Sequence, residues 1–297
     1  MRERWLRTRF PAAVVLVATP ERVAAWQREG RPVRDMPPNA ADDDLHRHFT
    51  ADLCLHVLGI PVDAVFTGEA YGDGFAAVLS TRFAAVGAGP VVHVAVARPE
   101  GDDRVSGTRL RADVHAHRGD LAPEVYASFV RRVCLLGGEA SGKSTLAAAL
   151  AGSLGTQHVA EYGRELWEAR GGALAYDDLL RIARAQVERE EAALPHAARV
   201  LVCDTSPLTT LLYSRHLFGR AEPELEALAD RRYAAVLLCA PDFPFVQDGT
   251  RQDAAFREWQ HRWYLGELAA RGWPFTLLTG TLDERIAQAT SAIVRLG

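Results

Sequence analysis

Gly137-Gly138-Glu139-Ala140-Ser141-Gly142-Lys143-Ser144-Thr145 lies between a short apolar run, 132–136, and an Ala- and Leu-rich stretch, 143–154, that ends at Gly155. A strand, a glycine-bounded turn and a helix are expected in that order, and the turn fits the pattern G-x-x-x-x-G-K-[ST]. Each fixed position answers a physical need. Glycines accept the backbone angles of a tight turn. The loop N–H groups and the start of the following helix then converge on phosphate oxygens. The lysine sets a compact ammonium between the β- and γ-phosphates of ATP, and Ser144 offers its hydroxyl to Mg²⁺. The whole stretch from Gly137 to Thr145 is therefore the expected ATP-binding loop.

The base census singles out the lysine. Lys143 is the one lysine of the chain, against 33 arginines. Arginine is a planar fork and lysine a point charge on a flexible stem. A chain that uses arginine almost everywhere keeps its ammonium where a guanidinium is too wide for a ring of backbone N–H groups.

Working outward, hydrophobic residues make up 48% of 297 residues, enough for ordinary packed cores, and the formal net charge is −4. No basic field points to a nucleic-acid partner. Cys54, Cys134, Cys203 and Cys239 form no C-x-x-C pair, which argues against a zinc ribbon or a thioredoxin motif. Three of them sit in apolar runs as small core residues, consistent with a reducing compartment. The start Met-Arg-Glu-Arg-Trp does not read as a signal peptide. No apolar stretch approaches the roughly 20 residues of a membrane span. The expectation is a soluble cytoplasmic protein with no membrane partner.

At roughly 100–200 residues per domain the length suggests two domains. The first half reads as a strand over 14–18, helices over 21–29 and 43–58, strands over 64–67 and 91–96, and a connecting helix over 121–129. The second half reads as strands over 132–136, 157–160, 200–203, 234–239 and 275–278. Helices are expected over 143–154, 176–194, 207–218, 222–231, 254–271 and 282–294. These strands are short apolar runs without polar alternation, the pattern of a parallel sheet covered on both faces. The expected fold is α/β: a doubly wound P-loop domain over 131–297, preceded by a smaller domain over 1–130.

Phosphoryl transfer also needs a metal ligand and a group that takes the nucleophile's proton. Asp204 ends the strand two strand–helix steps after the loop, where a second Mg²⁺ ligand is expected; a helix N-cap is the alternative. Glu161 ends the second strand, at the edge where open parallel sheets face their ligands. It is a candidate base, or else the ion-pair partner of Arg164. Asp248-Gly249-Thr250-Arg251, with Arg257 beyond, lies in a long loop where arginines closing as a lid would spread the charge of the transferring group.

These motifs, G-G-E-A-S-G-K-S-T, A-E-Y-G-R-E, V-C-D-T and F-V-Q-D-G-T-R, together resemble the kinase half of the bifunctional nicotinamide-nucleotide adenylyltransferase/ribosylnicotinamide kinase family. The resemblance implies transfer of the γ-phosphate of ATP to the 5′-hydroxyl of nicotinamide riboside, in NAD biosynthesis. It places Lys143 and Ser144 on ATP and Mg²⁺, and Glu161, Tyr162, Arg164 and Asp204 beside the nucleoside. Asp248, Gly249 and Arg251 fall in the family's lid. Phe245 stands where the family usually has Trp. Ala160 stands where it often has an aromatic, leaving Tyr162 or Trp167 to stack on the pyridine ring. Val65–Gly72 resembles V-F-T-S-E-x-Y-G of the same family, and Val105–Arg111 resembles the I-S-x-T-x-x-R signature of nucleotidyltransferases. By that resemblance Ser106, Thr108 and Arg111 would once have held phosphates. No H-x-G-H-type loop is present, and His46-Arg47-His48 and His115-Ala116-His117 read as surface histidines. The front half is therefore expected to be a partial, Rossmann-like nucleotidyltransferase domain without adenylyltransferase activity. Two alternatives stand beside this: a kinase for another small nucleoside or metabolite, and a non-catalytic module that senses ATP or pyridine nucleotides.

Overall fold

The computed structural model describes residues 2–68, 71–97, 105–245 and 252–296. The chain divides into two compact units, Met1–Gly107 and Thr108–Gly297.

In the first unit α1 (Arg2–Arg9), α2 (Pro20–Arg28) and α3 (Asp43–Asp52) precede β1 (Ala64–Thr67), α4 (Gly72–Ala84) and β2 (Val92–Ala95). β1 and β2 run parallel, and α4 supplies the crossover that parallel strands require. α3 continues as a π-type turn, Leu53–Leu58. Ala51 and Cys54 from this helix pack with Ala76, Leu79 and Phe83 of α4. Asp52 is buried there between Arg34 and Arg82, each at 2.6 Å. The strand expected over 14–18 does not form. Its β-branched residues have the propensity, but among the described residues β1 and β2 pair only with each other. A strand needs a neighbour to take its N–H and C=O groups. Here the Val15 carbonyl accepts from the Arg7 side chain at 3.1 Å instead, while Leu16 and Ala18 pack against Val23, Trp26 and Phe49.

α5 (Gly107–Ala112) and α6 (Pro123–Tyr126) follow. The boundary expected near Val130 falls earlier, at Gly107. Residues after it are held to the second unit by Tyr126, which is buried with Leu194, Ala197 and Leu201. The Tyr126 hydroxyl accepts the Arg199 N–H at 3.1 Å and meets His115 Nδ1 at 3.0 Å. His115 is thus a packed side chain and not the solvated one the sequence suggested.

The second unit contains β3 (Arg131–Leu136), α7 (Lys143–Ser153), β4 (His158–Val159), α8 (Tyr162–Ala169), α9 (Tyr176–Ala193) and β5 (Val200–Asp204). It continues through α10 (Pro207–Phe218), α11 (Pro223–Ala229), β6 (Ala235–Cys239), α12 (Ala254–Ala270), β7 (Thr276–Leu278) and α13 (Leu282–Val294). The five strands make one parallel sheet in the order β4-β5-β3-β6-β7. Successive β3 side chains go to opposite faces. Val133 and Leu135 pack with Leu146 and Leu150 of α7 and Ala289 of α13. Cys134 and Leu136 pack with Leu179, Leu211 and Tyr264 of α9, α10 and α12. Helices cover both faces, so the sheet is doubly wound. From β3 the chain steps to one side, to β4, and later crosses to the other, from β5 to β6. Ligands of open parallel sheets bind beyond the carboxyl ends of the strands at such a reversal. The phosphate loop follows β3, Glu161 follows β4 and Asp204 ends β5.

Candidate active site

The loop between β3 and α7 is shaped by close approach as much as by backbone freedom. Gly142 has φ +80°, in the left-handed region that glycine adopts without strain. Gly138 is needed for space: a Cβ there would lie 2.8 Å from the Arg257 carbonyl oxygen and 3.1 Å from Gln260 Oε1. Ala140 also adopts a left-handed φ, +55°, although it is not glycine. Lys143 Nζ donates to the Gly137 and Gly138 carbonyls, each at 2.9 Å. Ser144 and Thr145 are exposed at the start of α7.

Two side chains of the expected ATP loop brace the loop itself. Ser141 is buried and donates to the Gly138 carbonyl at 2.7 Å. The Glu139 N–H donates to Gln260 Oε1 at 2.7 Å, and its carboxylate accepts from Tyr213 OH and from the Gln252 N–H, both at 2.8 Å. Behind the loop stands Arg285, which the sequence did not reveal. It is 1% exposed. Its guanidinium donates to the Ser141, Ala240 and Gly280 carbonyls at 2.8, 2.9 and 3.0 Å and to the Asp242 carboxylate. It ties the loop to the β6 end and to α13, and its only sequence mark is being one arginine among 33.

Glu161 and Asp204 have different surroundings. Burial raises the Glu161 carboxyl above its ordinary value; the Lys143 charge pulls it back and the Asp204 charge pushes it further up. Arg164 also lowers it, but among the described residues the two form no ion pair. Asp204 is 2% exposed, and its Oδ1 is buried without a hydrogen-bond partner among the described residues. The helix-cap alternative falls away for Asp204, because Ser206 caps α10 by accepting the Leu208 N–H at 3.3 Å. Between them Thr205 has φ +76°, a strained value for a β-branched residue that costs about 1–3 kcal/mol. It is held by a hydroxyl chain from Thr205 to Thr209 to Tyr264.

A cavity of ≈ 620 Å³ opens from the loop, lined among others by Lys143, Glu161, Arg164, Trp167, Gln186 and Tyr213. Trp167, rather than Tyr162, presents an aromatic surface to it. Tyr162 faces a separate surface groove, and the Arg189 guanidinium lies 4.5 Å from its ring centroid. Arg257, expected with the lid, is a packed helix residue. It sits on α12, 7% exposed, donating to the Phe243 carbonyl at 2.8 Å and lying 5.5 Å from the Phe245 ring centroid. Asp248, Gly249 and Arg251 lie outside the described residues. Thr108 and Arg111 are exposed on α5, with Ser106 just before it. Gln186 was also missed, yet it had a signal: it falls on the buried face of α9 with Leu179, Ile182 and Ala183.

A phosphate loop at the reversal of a doubly wound sheet, with carboxylates at the next two strand ends, defines a P-loop protein of the kinase or transferase class. The chain belongs to the family described as AAA domain, whose pattern matches residues 132–285. It is 36% identical over 152 residues to the trifunctional NAD biosynthesis/regulator protein NadR of Escherichia coli K12, covering 50% of this chain and 37% of that protein. The NadR of Salmonella typhimurium LT2 matches with the same identity and coverage. The match thus spans little more than a third of these curated relatives. Crystal structures of NadR protein in complex with NR and in complex with NAD and AMP-PNP superpose with TM-scores of 0.68 and 0.67. They are 22% and 20% identical, each covering 99% of this chain and 81% of the other, and show the shared fold. The family resemblance read from the sequence motifs is borne out.

Proposed function

We propose that this chain transfers the γ-phosphoryl group of ATP to the 5′-hydroxyl of nicotinamide riboside, giving nicotinamide mononucleotide and ADP. One observation carries the reading: a single cavity is lined by the phosphate-loop lysine, by a carboxylate with a raised pKa, and by a tryptophan suited to a flat ring. Homology to proteins named for NAD biosynthesis and a fold shared with an NR complex support the acceptor.

In this mechanism the acceptor hydroxyl oxygen attacks the γ-phosphorus as the bond to the β–γ bridging oxygen breaks. The hydroxyl proton passes to Glu161, whose raised pKa makes it a better base than an ordinary carboxylate at neutral pH. Lys143 leaves the loop carbonyls for the phosphate oxygens and stabilises the charge gathering on them. Trp167 stacks on the pyridine ring, and Arg164 lines the same space.

Mg²⁺ fits the remaining residues. The Asp204 Oδ1, buried and unpartnered among the described residues, would serve as a ligand atom, and Ser144 is exposed beside the lysine. Among the described residues no group of three His, Cys, Asp or Glu side chains could hold a metal alone. Two protein ligands plus phosphate oxygens is a usual magnesium arrangement. When bound, Mg²⁺ would neutralise charge on the β- and γ-phosphates.

Incubation with Mg-ATP and nicotinamide riboside, followed by mass detection, is expected to give nicotinamide mononucleotide. Faster turnover of uridine or cytidine in the same panel would overturn the acceptor assignment. Tight ATP binding without transfer to any nucleoside would favour a sensing module.

A further inference from the structure

Gln186 is unusual among the cavity residues. It is 2% exposed, deep on α9. Its side-chain oxygen accepts the Tyr162 backbone N–H at 3.0 Å. That bond fixes which way the amide points, because a backbone N–H can only donate and so must meet Oε1. The amide nitrogen is left as the free end. It is buried, lacks a partner among the described residues, and belongs to a side chain lining the cavity that holds Glu161 and Trp167. A buried N–H₂ group with no acceptor is unfavourable, and native proteins seldom keep one without a use. A hydrophobic side chain would fill the same place without that penalty.

From this we infer that Gln186 is a specificity-determining residue that donates, through Nε2, to an oxygen of the bound acceptor. The inference rests on the kinase reading above and adds the group that selects among acceptors. The oxygen is either a carbonyl on the base or a hydroxyl on the sugar; both offer the same lone-pair chemistry. A site built to hydrogen-bond a substrate group rejects analogues lacking it more strongly than an apolar pocket rejects a change of size. The arrangement also does a second job: Oε1 holds the first N–H of α8, directly after Glu161, so recognition and base placement share one side chain.

The test separates these two jobs. Gln186→Glu keeps an oxygen for the Tyr162 N–H but replaces the free donor by an acceptor. Gln186→Met removes both. Steady-state kinetics are measured for each on the plateau of its own pH profile, with thermal melts alongside. For Gln186→Glu the acceptor KM should rise about 10–100-fold, the worth of one hydrogen bond to a buried site. Its KM for ATP should stay near wild type, while its melting temperature should fall at neutral pH, because a carboxylate is costly at so buried a place. Gln186→Met should show the same acceptor defect with a lower kcat, because α8 and Glu161 lose their anchor.

Two analogues then identify the oxygen. Pyridinium riboside lacks the carboxamide, and the 2′-deoxy nucleoside lacks one hydroxyl. The analogue missing the contacted oxygen should be weakened in wild type and not weakened further by Gln186→Glu. Either analogue behaving this way supports the inference. An unchanged acceptor KM in Gln186→Glu overturns it, as does a full further loss with both analogues. If wild type phosphorylates a different nucleoside, only the substrate assignment fails; that nucleoside and its deoxy and deoxo analogues replace the panel. A wild-type chain that phosphorylates no nucleoside refutes both.

Discussion

Replacing Glu161 by Gln should raise stability while abolishing most of the activity, because one cause lies behind both effects. Burial holds the Glu161 carboxyl above its ordinary value, and the Asp204 charge adds to that rise. In the unfolded chain the same group titrates normally, near 4.3. The folded state therefore binds the proton more readily. Whatever stability this difference contributes is fully present below the unfolded value and is lost as pH rises through the folded one. Near neutral pH the ionised carboxylate is a net cost, and a neutral amide of the same shape removes it. For a group shielded only in part, about 1 kcal/mol is the appropriate scale. That corresponds to a rise in melting temperature of ~2–4 °C for a unit of this size. Differential scanning calorimetry of the ligand-free protein should show the gain near pH 7 and show it shrinking towards pH 4. Activity should move the other way. Wild-type kcat should climb as pH rises through the raised carboxyl value, and Glu161→Gln should lose that limb along with ~10²–10⁴ in kcat. A variant that melts lower than wild type near pH 7, or that keeps the wild-type rate, would refute the assignment of Glu161 as a buried base.

Lys143→Arg should lose ~10²–10³ in kcat, the scale for one displaced charge-stabilising donor, with an unchanged melting curve. The ammonium fits between two carbonyls at 2.9 Å, where a planar guanidinium does not; steady-state ATP turnover checks it. Arg285→Met should destabilise by about 3 kcal/mol, since it strips a buried charge from its partners. A denaturant midpoint shift in that direction, with weakened ATP binding by calorimetry, is the expected pair of results. In the first unit a Cβ on Gly72 would overlap the His93 ring, which is held by Thr67 at 2.9 Å and Asp73 at 2.8 Å. Gly72→Ala should therefore cost about 1–3 kcal/mol, read as faster amide exchange in α4.

What the sequence disclosed and what it hid follow one division. The phosphate loop was legible because each of its positions serves a local need of the backbone or of a phosphate. The parallel strands were legible because burial on both faces leaves unbroken apolar runs, and Asp204 because it ends one of them. Features that depend on a distant partner left little trace. α8 was missed: it is eight residues long and carries Gly163 in its first turn. Its first N–H is taken by Gln186, and Gly163 lies so close to α9 that a Cβ would touch Ile182 at 3.4 Å. The segment over 14–18 erred in the opposite sense, with strand propensity but no strand beside it. Arg285 reaches Ser141 across 144 positions of chain, and no local pattern encodes that distance. Gln186 stands between the two cases. Its position on an apolar helix face was readable, since Leu179, Ile182 and Ala183 mark the face. A polar side chain there needs partners for both ends of its amide, and the fold supplies one, at Oε1. The donor is unmet among the described residues; given to an oxygen of the acceptor, as inferred above, it turns the missing half of the hydrogen-bond account into a prediction about the substrate.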